Sequence, residues 1–365
     1  MSLRSLSRFN ILFPPIIAWW PVAAALLVGI VATFIPRNGK TTAEWLTQGV
    51  LPWADTPSFV SVEKVGENHY QYMVNGEPTV FIGMGYNPIY RDLTPAQRAA
   101  NYRRDFKILC EAGVNHITGW DADKGYEQDK FDELTLDLAQ EYGIGVLMPL
   151  NLPPEGNYRD PAFLNQLRIE AVKKVNRFKN HPALRMWGVG NEVLTEMPRS
   201  MYVPFVRFYR EIADIFHELD PNHPVMYREA EDIFVRAISM ALSNSGPRPW
   251  FQYGMNVYSL EQERILDEWP QQALDRPLFV SEFGAEDYWY GDRAEGYVNM
   301  WRTIRSHPEY VLGGAPYVWT TEGPEPTDKK WGLMDGNGQP IDGAFEGLAA
   351  EWRQEPDNQG RICPS

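Results

Sequence analysis

The sequence predicts a (β/α)8 barrel, preceded by an apolar N-terminal helix and a short β-hairpin. Three observations point there. From residue 80 onward, short apolar runs alternate with amphipathic stretches of helical spacing, and the alternation repeats eight times. The chain has 365 residues, 44 % of them hydrophobic, which suits one large α/β core. No Gly-rich phosphate loop follows an early run, which disfavours a doubly wound open sheet.

The elements follow in order. Residues 1–10 form a tail. Residues 11–35, "ILFPPIIAWWPVAAALLVGIVATFI", carry no charge and are long enough to span a bilayer. Trp19 and Trp20 suit an interface, while Pro14, Pro15 and Pro21 bend or shorten the helix. The flank "TFIPRNGK" lacks a small-x-small site, so the segment reads as an uncleaved signal-anchor rather than a cleaved signal peptide. Arg4 and Arg8 before it nearly balance Arg37 and Lys40 after it. The short N-terminal tail favours a globular part held outside the cytoplasm. Residues 36–58 are a polar linker.

Residues 59–79 alternate apolar and polar around "GEN", the pattern of a hairpin, and Asn75-Gly76 marks a second tight turn. This hairpin is expected to cover one end of the barrel. The barrel spans 80–355, and 356–365 is a C-terminal tail. Its runs are "VFIGMGYN", "VNHITGW", "GIGVLMPLN", "LRMWGVGNE", "PVMYREA", "FQYGMNVY", "PLFVSEFG" and "LGGAPYVWT". The first intervening helix opens on Thr94 as cap, has Pro95 in its first turn and closes at Gly113.

Composition excludes several function classes. Acidic residues outnumber basic ones, 48 to 34, for a net charge of −14 with no dense basic run, so a nucleic-acid partner is disfavoured. The two cysteines form no CxxC pair and the six histidines no HExxH spacing, so neither metal nor cofactor is expected. Cys110 and Cys363 either pair or are two unrelated buried thiols. The 13 Trp and 18 Tyr suit flat sugar platforms, with ordinary packing as the alternative.

In a (β/α)8 barrel the C-terminal strand ends converge on one mouth. The ends here are Tyr86-Asn87, Trp120-Asp121, Asn151, Asn191-Glu192, Arg228-Glu229, Asn256–Tyr258, Glu282 and Trp319. Glu192 closes the fourth run and Glu282 the seventh, placing two carboxyls across the mouth from one another. Such a pair suits glycoside cleavage, in which one carboxylic acid protonates the leaving oxygen and one carboxylate attacks the anomeric carbon. Tyr86, Asn87 and Trp120 are binding candidates by position. Trp289, in "EDYWYGD", is a candidate for an acceptor subsite. Glu229, Glu231, Glu286 and Asp287 read as loop charges.

"WGVGNE" followed by "FVSEFG" resembles clan A of the glycoside hydrolases. "VNGEPTVFIGMGYNP" and "RDFKILCEAGVN" are similar to the barrel domain of family 2 and to the family 72 β-glucanosyltransferases. The resemblance covers about residues 60–355. It implies Glu192 as acid/base and Glu282 as nucleophile. It also implies that Asn191 holds a sugar 2-hydroxyl, that Tyr258 orients the nucleophile and that Trp319 floors the sugar subsite. One position departs: clan members carry an Arg on strand two, where this chain has Thr118 in "NHITGW". Arg228, on the fifth run, is a candidate substitute.

The expected protein is thus a membrane-anchored retaining β-glycosidase with its catalytic domain outside the cytoplasm. Its partners would be an oligo- or polysaccharide, a β-glucan foremost, and the bilayer through the N-terminal helix. A transglycosidase using the same residues and a catalytically inactive glycan-binding barrel are the alternatives.

Overall fold

The computed structural model describes residues 57–364, apart from 91, 121–130, 231, 244–245, 273, 275 and 287–289. The expected anchor at 11–35, with its tail and nearly all of the linker, lies outside the described residues, as does Trp289. Among the described residues no helix is long and apolar enough to cross a membrane.

The hairpin forms where its alternation places it. Strand β1 (Val60–Gly66) pairs antiparallel with β2 (His69–Val74), Val60 opposite Val74. Strand β3 (Glu77–Pro78) then pairs back on β2. The link between β2 and β3 is Asn75-Gly76, with φ of 55° and 85°. Both angles are left-handed, which is what a two-residue turn of this hand demands and what Asn-Gly tolerates best.

Eight strands then close a barrel: β4 (Phe81–Gly85), β5 (His116–Thr118), β6 (Gly145–Leu150), β7 (Leu184–Asn191), β8 (Val225–Glu229), β9 (Phe251–Val257), β10 (Leu278–Phe283) and β11 (Val311–Pro316). Neighbours are parallel and follow chain order, with β11 returning to β4. A helix follows each strand, as right-handed βα crossovers require. The first, Pro95–Ala112, shows why sequence marks its ends. Thr94 and Gln97 form a reciprocal capping box, Pro95 fills the first turn, and Gly113 at φ 98° closes it.

The barrel's N-terminal end is packed shut. Phe81, Leu147, Met186, Met226, Phe279 and Leu312 fill it, and Val60, Tyr70 and Tyr72 of the hairpin sheet pack onto them. Tyr72 meets Phe279 edge-on at 5.5 Å, and its hydroxyl bonds His116 Nε2 at 2.8 Å. Burying each such ring is worth roughly 1.5–3 kcal/mol. The hairpin is therefore a plug at the end opposite the mouth, leaving the C-terminal strand ends for chemistry.

The C-terminal tail is fastened to the same end. Asp357 accepts from Val80 N–H at 2.6 Å, just before β4. Arg361 donates to the carbonyls of Val114 and Tyr142, which precede β5 and β6. Cys363 is disulfide-bonded to Cys110 of the first barrel helix, with Cα atoms 5.9 Å apart.

Candidate active site

The fourth barrel strand, β7, delivers Asn191 and then turns sharply. Glu192 has φ 51°, a left-handed conformation that costs a non-glycine residue about 1–3 kcal/mol. Its surroundings hold it there. Its N–H donates to the Arg228 carbonyl at 3.0 Å. The single turn Val193–Glu196 follows, and Leu194 N–H and Thr195 Oγ1 donate to the Glu229 carboxyl at 3.1 and 2.6 Å. Glu229 also accepts from Tyr227 Oη at 2.7 Å and Ala230 N–H at 3.0 Å. Glu229 is thus no loop charge: it ends β8, is fully buried, and ties the ends of β7 and β8 together.

One amide links the carboxyl that follows β7 to the strand that bears the other. Asn256 on β9 donates through Nδ2 to Glu192 Oε1 at 2.8 Å and to Asn191 Oδ1 at 3.2 Å. Its Oδ1 accepts from Ser281 Oγ at 2.7 Å. Ser281 immediately precedes Glu282 on β10. Glu282 is 5 % exposed. Each of its oxygens takes one donor: Oε1 from Trp120 Nε1 at 2.7 Å and Oε2 from Tyr258 Oη at 2.5 Å.

Electrostatics treat the two glutamates as one system. Burial and the Glu192 charge push Glu282 up to about 8, against the pull of the Tyr258 hydroxyl, the Arg228 cation and the Trp120 indole. Glu192 is also raised, by burial and by the Glu229 charge, while Asn256 and Arg228 draw it down. Glu282, buried, and Glu192, half-buried, are both held against ionisation, which favours keeping a proton at the pair near neutral pH. That proton is what an acid catalyst must hold.

The structure sorts the remaining candidates. Asn191, Trp120 and Tyr258 gather around the glutamate pair. Tyr86 does not: it is buried and its hydroxyl donates to Asp105 of the first barrel helix at 2.7 Å. Asn87 is buried too, exchanging hydrogen bonds with the backbone of Thr320. Trp319 is 1 % exposed, packed between Tyr86 and Phe345, so its ring lies in the core. The ring that reaches the site from the eighth strand's end is Tyr317, 5.1 Å from Trp120 and 6.0 Å from Tyr258. β11 stops at Pro316, and the chain has turned away by residue 319, where Trp319 N–H donates to Gly85 at 2.7 Å.

Asn256, Ser281 and Tyr317 are the site residues that sequence left without a role. The signal for Asn256 was its place at a strand end. For Ser281 there was none, because a strand's alternation turns it away from its neighbour Glu282.

The model of the glycosyl hydrolases family 2 TIM barrel domain matches residues 129–319, more than half of the chain. The chain belongs to this family. Its barrel is 25 % identical over 280 residues to a β-glucuronidase of Sus scrofa, covering 73 % of this chain and 39 % of the relative. It is 24 % identical over 266 residues to a β-galactosidase of Vibrio cholerae serotype O1, covering 68 % and 23 %. The chain therefore spans well under half the length of these curated relatives. Among solved structures, this family 2 barrel is similar in fold to Bacteroides uniformis β-glucuronidase, with a TM-score of 0.64 at 17 % identity, covering 81 % of this chain and 38 % of that one. It is also similar to a β-galacturonidase from Eisenbergiella tayi, with a TM-score of 0.61 at 20 % identity, covering 82 % and 55 %.

Proposed function

We propose that this family 2 barrel is a retaining β-glycosidase acting by double displacement, with Glu192 as acid/base and Glu282 as nucleophile. The observation that carries the reading is the pair itself. Glu282, buried on β10, and Glu192, half-buried just after β7, are linked by Asn256 and Ser281, and both are held against ionisation.

The steps follow from the hydrogen bonds. With a glycosidic oxygen bound beside Glu192, the reacting state carries the proton on Glu192 and leaves Glu282 ionised. Tyr258 and Trp120 each donate to one Glu282 oxygen and stabilise the carboxylate as it attacks the anomeric carbon. The Glu192 proton passes to the leaving oxygen as that bond breaks. Water then enters, gives its proton to Glu192, and its oxygen displaces Glu282. Asn191 Oδ1 already accepts from Asn256, so its amide N–H groups are the ones offered to a sugar 2-hydroxyl.

The proposed substrate is a β-linked glycan, with β-glucan as the finer reading. The relatives' names add β-glucuronides and β-galactosides to the set to be tried. The proposed setting is outside the cytoplasm, anchored through 11–35. The Cys110–Cys363 bridge supports that setting, since disulfides persist in oxidising compartments.

The test is a panel of aryl β-glycosides and β-gluco-oligosaccharides, with the product anomer followed by NMR and acceptor sugars added to read transfer. Wild type is expected to release the β-anomer first. Glu192→Gln is expected to lose about 10²–10⁴-fold in turnover of substrates with poor leaving groups. Glu282→Gln is expected to lose at least as much on every substrate. Turnover surviving Glu282→Gln, or an α-anomer formed first, rejects the proposal. Binding without turnover across the panel favours the inactive glycan-binding reading.

A further inference from the structure

We propose that Arg228, on the fifth barrel strand, is the positioning cation of this site, holding the end of the second strand through Thr118 and Gly119. The inference rests on the reading of Glu192 and Glu282 as the reacting pair.

The geometry is specific. Arg228 lies on β8 and is 1 % exposed, a rare setting for a guanidinium. Its Nη1 donates to Thr118 Oγ1 at 3.2 Å and to the Gly119 carbonyl at 3.1 Å. Both acceptors belong to the end of β5, which is not a hydrogen-bonded neighbour of β8. The side chain therefore crosses the barrel interior. The same guanidinium lies 5.9 Å from the Trp120 ring centre, and Trp120 Nε1 donates to Glu282. The cation thus anchors the very segment that presents a donor to the nucleophile.

One neighbouring strand leaves room for it. A Cβ placed on Gly254 of β9 would lie 3.0 Å from Arg228 Cγ. Thr118 completes the fit, since a hydroxyl accepts from a guanidinium and an arginine at 118 would repel one.

The charged and titratable groups facing the pair come from several elements. They are Glu192 after β7, Arg228 and Glu229 of β8, Tyr258 after β9 and Tyr317 after β11, with Tyr209 on the helix behind Arg228. Among these described groups Arg228 is the one cation. It favours the ionised form of both glutamates.

The test does not depend on knowing the substrate. Glutamate side chains are labelled with 13C at the carboxyl, and the Glu192 and Glu282 signals are assigned from Glu192→Gln and Glu282→Gln. Arg228→Gln is expected to move their titration upward by about 1 pH unit or more. It is also expected to speed exchange of the Trp120 indole N–H, and Arg228→Lys should restore most of the titration. A folded Arg228→Gln whose titration and indole exchange match wild type overturns the proposal. Should Arg228→Gln not fold, Thr118→Arg in that background returns a cation from strand two. Recovery of fold and titration is then the supporting result, and failure to recover either is the overturning one. Loss of the enzyme reading would show differently, as absent turnover in wild type with the titration shifts intact.

Discussion

At the scale of the residue, Glu282 sits where its charge is opposed. Burial and Glu192 raise it to about 8 from an ordinary 4.5. The sign of the stability effect follows. A folded pKa above the unfolded one means the native state binds the proton more tightly. The stability this contributes is complete below about pH 4.5 and is lost as pH rises to 8, on the order of a few kcal/mol in all. Glu282→Gln removes the titration. The variant should melt close to wild type near pH 4 and well above it at pH 8, measured by thermal unfolding across that range. A gap that is constant with pH would mean the carboxyl is not held against ionisation. A site that trades stability for a poised proton is the usual bargain of an active site.

At the scale of the element, strand ends were legible and the chain beyond them was not. Period and apolar runs locate β4 to β11, because burial on both faces leaves no other pattern for a parallel strand. Glu192 and Glu282 fall at such ends, and so stand out in the sequence. Trp319 and Tyr86 were misplaced because a ring beyond a strand's last residue is aimed by packing partners distant in sequence, Phe345 in one case and Asp105 in the other. Glu229 was misread for a related reason: two of its donors come from the turn after β7, which no local pattern around β8 announces. Room inside the barrel is likewise a property of neighbouring strands. A Cβ on Gly254 would sit 2.6 Å from Ser281 Oγ and 3.0 Å from Arg228 Cγ. Gly254→Ala should therefore push β9 and β10 apart at the site, costing about 1–3 kcal/mol in urea unfolding. It should also loosen the Ser281–Asn256 bond. An alanine variant as stable as wild type would show that β9 yields there without strain.

At the scale of the whole molecule, chemistry and closure are kept at opposite ends of the barrel. The hairpin sheet plugs the N-terminal end through Val60, Tyr70 and Tyr72. The tail is fastened there by Asp357, Asn358 and Arg361, whose partners all precede strands or lie at helix ends. The Cys110–Cys363 bridge joins points 253 residues apart, so it holds almost the entire described barrel in one covalent loop. Closing so long a loop restricts the unfolded chain more than the folded one, an effect typically worth about 2–5 kcal/mol. Cys363→Ser should lower thermal stability by that order, and Cys110→Ser by the same amount. The double variant should be no worse than either, because a single cross-link is lost in all three. Reducing agent should bring wild type to the level of the variants and leave them unchanged. Glycoside turnover at 25 °C should stay within about twofold of wild type, since among the described residues none bonded to the tail touches the Glu192–Glu282 pair. A bridge variant that kept its stability but lost turnover would instead connect the fastened end to the mouth, contrary to that separation.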